Sequence, residues 1–303
     1  MHQLLLTAFV FPFNETSIAN EPHHKIMKIV TEKPALTFKQ RLIFFMGAVI
    51  AISALLQSRS AAAEETEATR PSVFDASPYL EAGYTADYLT TNAPDWNSRY
   101  VRAALPLKAF GLLTVQGDDV FRFGLSDQTI GASYAYPFPI GVITLGGSYA
   151  ANPDFLAKNT VGLLWNGKLP DGFGYTIGAE QRQYQSAKTN IESLGFEKNT
   201  GEFRLAYTAT LSSIDHSRGE LAHRVQAQWI SAGNSRLGVT CAFGIEPEVV
   251  YQNSLSSIKT NFLQLDGLFW PVKRVGVVAA YWHGMAGDYY QRNGGQLGLR
   301  IIL

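Results

Sequence analysis

The chain has 303 residues, 46% of them hydrophobic and 17% charged, with 25 basic and 25 acidic side chains and a mean hydropathy of -0.02. That balance speaks against a polyanionic partner such as nucleic acid, and the single cysteine, Cys241, excludes an internal disulfide and any cysteine-cluster metal site. It leaves the solvent open, because the wall of a membrane β-barrel alternates apolar and polar residues and averages to a hydropathy near zero.

In chain order, residues 1–26 precede Met27, which with Lys28 and Lys33 reads as the more natural start; His23 and His24 before it are incidental to any metal site. Within 27–63, Lys39 and Arg41 lead into the apolar run Leu42 to Leu56 and then Ala61, Ala62 and Ala63, the order of a secretory signal peptide cleaved after Ala63. As a membrane span the run is short: a helix of that length reaches about 22 Å against a hydrocarbon core of roughly 30 Å. Residues 64–77 are acidic, polar and contain Pro71, and read as a disordered lead-in. From Glu64 onward the chain carries 19 Lys and Arg against 22 Asp and Glu, a difference of -3.

From residue 78 to the end no helical period persists over a dozen residues, and short alternating runs recur between turn residues. Tight turns are expected at Leu107 to Gly111, Pro137 to Gly141, Leu169 to Gly174, Lys198 to Gly201, Ala232 to Ser235 and Pro271 to Arg274, all rich in Pro, Gly, Asn and Asp. Longer connections are expected between them, near Thr90 to Ser98, Phe121 to Asp127, Ala151 to Asn159, Gln185 to Thr189, Ile214 to Glu220, Glu246 to Lys259 and Gly284 to Gly294. Strict alternation of short and long connections is the mark of a transmembrane, antiparallel, up-and-down β-barrel. Six tight turns joining seven hairpins give fourteen strands, with twelve or sixteen as the alternatives.

Parity within the strands supports this all-β reading. In Gln128 to Pro137 the residues Ile130, Ala132, Tyr134 and Tyr136 oppose Thr129, Gly131 and Ser133, and in Ala222 to Ile230 the residues Val225, Ala227 and Trp229 oppose Arg224, Gln226 and Gln228. Charge falls on one parity, which matters because an Arg facing lipid near the midplane costs roughly 2 to 4 kcal/mol and one facing a wet lumen costs little. A secreted two-sheet sandwich shares alternation and turns, but the runs here are about nine to eleven residues long, as spanning strands require, and Tyr and Trp gather at their ends. The last eight residues, Gln296 to Leu303, put Leu297, Leu299, Ile301 and Leu303 on one face and Gln296, Gly298 and Arg300 on the other. A strand with one greasy face needs a partner at its edge, as barrel closure provides. The segment resembles the carboxy-terminal assembly signal of bacterial outer-membrane barrels, with Leu303 where an aromatic is usual.

The stretch Phe121 to Phe138, F-R-F-G-L-S-D-Q-T-I-G-A-S-Y-A-Y-P-F, and Asp95-Trp96 before it resemble the YaiO family of outer-membrane β-barrel proteins, loosely from Tyr79 to Leu303. The resemblance implies the barrel fold and an outer-membrane location, and suggests a role in envelope or surface-polysaccharide traffic without naming a substrate.

The lumen-facing set by parity is Glu81, Asp87, Arg102, Glu180, Arg182, Glu202, Arg204, Arg224, Gln226, Gln228, Gln264, Asp266 and Arg300. Such groups either form a selectivity constriction for sugars or anions or pair with one another and brace the wall. Arg122 and Asp127 flank Phe123-Gly124-Leu125-Ser126 and are candidates for shaping a constriction loop. An enzyme would need a nucleophile, a base and an acid in register; Asp215, His216, Ser217 and Glu220 crowd into one loop, and His223 shares parity with Val225, a lipid-side position. His216, His223 and His283 lack metal-ligand spacing. Tyr281, Trp282, Tyr289 and Tyr290 are expected to belong to an interfacial girdle. The sequence thus reads as a non-enzymatic outer-membrane barrel without cofactor or metal: a channel or export-assisting pore for small polar solutes or glycan segments. The alternatives are a plugged barrel that binds surface glycans or partner proteins and, further off, a lipid-modifying enzyme. Its expected partners are outer-membrane lipid, the barrel assembly machinery acting on Gln296 to Leu303, and envelope glycan or export components, with no nucleic acid among them.

Overall fold

A computed structural model describes residues 77–90, 95–107, 110–231, 234–251, 254–287 and 289–303. The extension over 1–26, the signal peptide over 27–63 and all but the last residue of the lead-in over 64–77 lie outside the described residues. The described chain forms strands β1 (Tyr79–Leu89), β2 (Trp96–Pro106), β3 (Leu112–Arg122), β4 (Leu125–Phe138), β5 (Gly141–Ala150), β6 (Asn159–Lys168) and β7 (Phe173–Gln183). These are followed by β8 (Lys188–Thr200), β9 (Phe203–Ile214), β10 (Glu220–Ile230), β11 (Arg236–Tyr251), β12 (Ser254–Val272), β13 (Val275–Ala286) and β14 (Tyr290–Ile302). Each strand pairs antiparallel with its neighbours in sequence, and β14 closes on β1 from Tyr79↔Ile302 to Leu89↔Arg292, making a fourteen-stranded barrel. Closure leaves no sheet edge around the wall, the condition for a sheet to sit in lipid.

The two termini of the barrel meet at one end, where the Leu303 N–H donates to the Pro78 carbonyl at 2.9 Å. Here it is called the terminal end, and the opposite one the far end. The tight connections expected from Pro, Gly, Asn and Asp all fall at the terminal end. Outward residues are apolar and exposed, among them Val101, Ile130, Leu145, Val161, Leu205, Val225, Leu263 and Leu297. Exposed aromatics flank them: Tyr136, Phe138, Phe173, Phe203, Trp229 and Phe269 toward the terminal end, and Tyr88, Tyr149, Phe243 and Tyr289 toward the far end. This is an apolar band between two aromatic girdles.

Three expected connections differ, and the first is the span Gly284 to Gly294, which is mostly strand because β13 and β14 pair up to Ala286↔Tyr290. The one placed at Phe121 to Asp127 is a two-residue turn, Phe123-Gly124, with β3 and β4 paired up to Arg122↔Leu125. Both turn residues are left-handed, at φ 56° and 79°, which is what the tightest hairpin turn demands; an aromatic at the first position hid it. The span Glu246 to Lys259 is mostly strand, because β11 and β12 run on to Tyr251 and from Ser254. They outreach their neighbours: β10 pairs with β11 only as far as Gly244, and β13 with β12 only as far as Thr260. Residues 245–251 and 254–259 therefore pair with each other alone, as an extension beyond the wall.

Candidate functional site

Two groups of side chains lie inside the barrel, an ionic one lining the wall and a dry one spanning the mouth at one end. The ionic belt lies toward the terminal end. Glu81 on β1 sits between Arg300 on β14 and Arg102 on β2, its register partners. Arg300 donates to Glu81 Oε2 from Nε at 2.6 Å and Nη2 at 2.5 Å, and Arg102 Nη1 stands 3.5 Å from Oε1. Arg102 Nε donates onward to Gln116 Oε1 at 2.8 Å, and Gln116 Nε2 to both oxygens of Asp118 at 2.7 and 2.9 Å. The Arg300 guanidinium also stacks 4.3 Å from the Tyr79 ring centroid. Glu81 is 1% exposed, so its charge is held by these partners instead of water. A second group on β8 to β10 joins Arg204 to Glu197 at 2.7 Å and to Gln228 at 3.1 Å, and nearer the far end Glu180 pairs with Arg182 along β7 at 2.5 Å.

Between these groups the wall from β4 to β9 is lined at mid-height by Gly131, Ser133, Gly146, Gly162, Gly178, Gly195 and Thr208. Charged residues thus line the wall from β7 round to β3, and the wall from β4 to β6 carries only small residues at mid-height among those named.

The far end is different. One dry cluster joins Val120, Ala150, Phe155, Leu156, Ala157, Tyr184 and Val249, and a second joins Leu89, Trp96, Ile258, Ala286 and Tyr290; Phe123 packs against both. Phe155 and Val249 have no exposed surface, and Trp96 has 1%. Strand parity places Leu89, Trp96, Val120, Ala150, Ile258, Ala286 and Tyr290 on the inner face, so the clusters fill the mouth instead of coating the outside. Two chain segments supply the filling. Residues 151–158 fold inward, and the β11–β12 extension leans in from the other side, bringing Val249, Leu255 and Ile258.

The segment Arg122 to Asp127 is the hub of this cap. Arg122 lies between rings, 4.9 Å from the Trp96 centroid and 5.9 Å from Phe155. Phe123 meets Trp96 and Phe155 edge to face at 5.6 and 5.9 Å, and the left-handed turn is what aims its ring inward. Asp127 accepts the backbone N–H groups of Asp154, Phe155 and Leu156 at 2.8, 2.9 and 2.8 Å, pinning the inward loop with one carboxylate. Around the cap run buried charges: Asp87 accepts the Trp282 indole N–H, and Tyr290 lies within electrostatic reach of Glu248, Arg292, Arg122 and Asp87. Arg292 crosses over Gly284 toward the Phe262 ring, 5.6 Å away.

Of the residues proposed from sequence, Glu81, Arg102 and Arg300 come together in the belt, and Arg204 and Gln228 in the second group. Gln226 donates to Thr240 at 3.2 Å, Gln264 approaches Asp266 at 3.5 Å, and Arg224 lies within reach of Glu246. Asp87 belongs to the cap. Glu202 departs from expectation: it occupies the β8–β9 turn, and its carboxylate accepts the indole N–H of the outward Trp229 at 2.8 Å. Strand parity stops at Phe203, one residue later. Arg122 and Asp127 do not form a constriction loop of their own; they hold another segment in place. Tyr281 and Tyr289 face outward as girdle residues, whereas Trp282 and Tyr290 are buried inside, since neighbours on a strand face opposite ways.

Ser217 shapes its loop, its hydroxyl accepting the Ile214 N–H at 3.0 Å, and His223 pairs on the outer face with the Tyr207 hydroxyl at 2.7 Å. His283 Nδ1 faces Asn293 Oδ1 at 2.9 Å on the outer side of β13 and β14. Among the described residues no group of three His, Cys, Asp or Glu is placed to hold a metal ion. Residues missed from sequence include Gln116, Asp118 and Glu197 in the belts and Trp96, Phe155, Val249, Glu248 and Arg292 in the cap. Parity with Arg122 would have found Gln116 and Asp118; nothing in periodicity announces that a loop folds inward.

The sequence matches the YaiO membrane beta barrel domain over residues 78–249. No curated protein matches it. Solved structures similar in fold include the Acinetobacter baumannii outer membrane protein Omp33, at 10% identity and a TM-score of 0.45, covering 75% of this chain and 99% of that one. The anion-selective porin from Comamonas acidovorans follows at 11% and 0.42, covering 74% and 98%, and OmpT of Vibrio cholerae at 12% and 0.43, covering 74% and 96%.

Proposed function

From the premise that this chain belongs to the YaiO family of membrane β-barrels, we propose that it is an outer-membrane conduit for small polar solutes or short glycan segments, shut at its far mouth in the resting form. The observation that carries the reading is a polar lumen lying beneath a dry cap built from separate segments. An apolar constriction of this kind stops ions by excluding water, so opening means moving side chains, not widening the sheet. The ionic belt braces the wall and sets the charge that a permeating solute meets. No step of this role needs a catalytic group, a metal or a cofactor. The chain is delivered by the cleaved signal peptide over 27–63, the barrel assembly machinery takes up Gln296 to Leu303, and lipid covers the apolar band.

A second reading, a permanently plugged barrel whose far-end loops bind surface glycans or partner proteins, is favoured by the three hydrogen bonds that Asp127 alone contributes to the cap. Liposome swelling in a disaccharide separates the two. Slow swelling with the wild-type barrel and fast swelling with Asp127→Ala supports the conduit. Equal and slow swelling with both supports the plug, and fast swelling with the wild type refutes a closed resting mouth.

A further inference from the structure

Arginine is unevenly spread over the inner wall. On β10 to β14 the inward side chains include Arg224, Arg236, Arg292 and Arg300, and among the described residues the carboxylate set within that part of the wall is Asp266. Glu220 stands at the far rim, and Glu246 and Glu248 lie on the β11–β12 extension. Arg300 is held by Glu81. The other three enter no ion pair among the described residues, although Arg224 has Glu246 and Arg236 has Asp266 within electrostatic reach.

Arg292 is the most telling of them. It is 3% exposed, and its Nη1 has no hydrogen-bond partner. One inward position below Tyr290 on β14, it crosses Gly284, where a Cβ would stand 3.2 Å from its Nε, and ends over the half-buried ring of Phe262, 5.6 Å from the centroid. Asp87 and Glu248 share the space around Tyr290 with it, and Asp87 already accepts the Trp282 indole N–H. A dry, unmade donor on a charged group is costly, so its presence calls for a reason. Arg236 repeats the pattern at the terminal end, where its Nε is dry and without a partner. Arg224 lies between them, near the middle of β10 and in one register row with Arg292 through Ala242, Phe262 and Gly284.

We infer that Arg292, Arg224 and Arg236 form a series of oxyanion subsites from the underside of the cap to the terminal end, and that the solute taken by the barrel is a small acid carrying a carboxylate, sulfate or phosphate. The inference rests on the conduit reading above and adds to it the class of solute. A guanidinium gives parallel hydrogen bonds to such a group. The donors left over at Arg292 and Arg236 are the ones an incoming oxyanion fills. Phe262 beside Arg292 offers an apolar face on which the ring of a sugar acid can lie.

The test is calorimetric titration of the full-length folded barrel in detergent micelles with glucuronate, with glucose as the matched neutral sugar and inorganic phosphate as the bare oxyanion. Each variant is first checked for heat-modifiable gel mobility. The expected result is glucuronate bound at least about tenfold tighter than glucose, and at least about tenfold more weakly by Arg292→Gln than by the wild type, a ratio equal to about 1.4 kcal/mol. Arg236→Gln, at the opposite end of the series, should weaken binding too, and it carries the comparison if Arg292→Gln does not fold. Phosphate that competes with glucuronate assigns the subsites to the oxyanion alone; phosphate that does not, with the preference over glucose intact, assigns them to the whole sugar acid. Glucuronate bound no better than glucose, or bound equally by the wild type and the folded variants, would overturn the inference. Passage is read separately, by swelling of liposomes that carry Asp127→Ala. If glucuronate binds but neither it nor glucose passes, the subsites stand and the conduit reading falls. If glucose passes while glucuronate shows no preferential binding, the conduit stands and the subsites fall.

Discussion

The belt at the terminal end and the cap at the far end are built by the same sheet, yet they hold themselves together by opposite means. In the belt, direction does the work: Glu81 is fixed by two guanidinium groups whose geometry admits few alternatives. Such a layer is rigid but still polar, and water and ions can share it. In the cap, burial does the work: Phe155, Val249 and Trp96 are almost wholly buried, and charge enters at Asp127, Arg122 and the groups around Tyr290. In the conduit proposed above, the belt sets stability and selectivity, and the cap sets whether anything passes. Damage to one should leave the other's property standing.

The largest expected effect is on the belt. Glu81→Gln leaves the buried Arg300 and Arg102 without their carboxylate, and removing one partner of a buried pair costs about 3 to 5 kcal/mol. The folded, heat-modifiable form should be lost at lower denaturant, with swelling rates of the surviving barrel unchanged; faster swelling would show that belt and cap are not separate. In the cap, Trp96→Ala removes a ring that meets Arg122, Phe123 and Tyr290. A Trp truncation of this kind costs about 3 to 5 kcal/mol where the site is fully packed, and here part of that should appear as permeation, read by swelling in the same assay. Loss of permeability change with full loss of folding would place Trp96 in the scaffold instead.

A smaller cost, about 2 to 4 kcal/mol, is expected for Val225→Arg, which sets a charge on the lipid face of β10. Measured by unfolding from vesicles, it should exceed that of Gln226→Arg on the next residue inward; equal costs would contradict the assignment of faces. The smallest effect belongs to Arg204→Met. Its side chain is a quarter exposed and its pair with Glu197 is partly wet, so stability should change by no more than about 1 kcal/mol. The reversal potential of an opened barrel should move toward cations, since one lumen cation is gone, and an unmoved potential would take Arg204 out of the permeation path.

The fold was largely legible from residues. Prolines, glycines and acids marked all six terminal-end turns, and parity assigned faces because an Arg in lipid is too costly to be tolerated at random. The belt followed from the same parity, although its pairing depended on register, which a single sequence does not give. Glu202 failed because parity was carried one residue past the end of a strand. The cap was hidden for a physical reason: Ala151 to Asn159 and Glu246 to Lys259 have the polarity of exposed connections, and what turns them inward is a few apolar residues, Phe155, Leu156, Val249 and Ile258, finding Trp96 and Phe123 across the mouth. Those contacts are long-range and leave no period. Arg122 to Asp127 did stand out as a segment, and its role became clear only when Asp127 was seen to hold a loop that begins more than twenty residues later.

Planar-bilayer recording of the wild-type barrel beside Asp127→Ala tests the closed mouth most directly. Asp127→Ala removes three hydrogen bonds to a carboxylate, each worth about 1.5 to 3 kcal/mol. A long-closed wild-type trace with rare openings, and a variant open at least about a hundred times more of the time, is the predicted result. A steady open conductance in the wild type that Asp127→Ala leaves unchanged would contradict it.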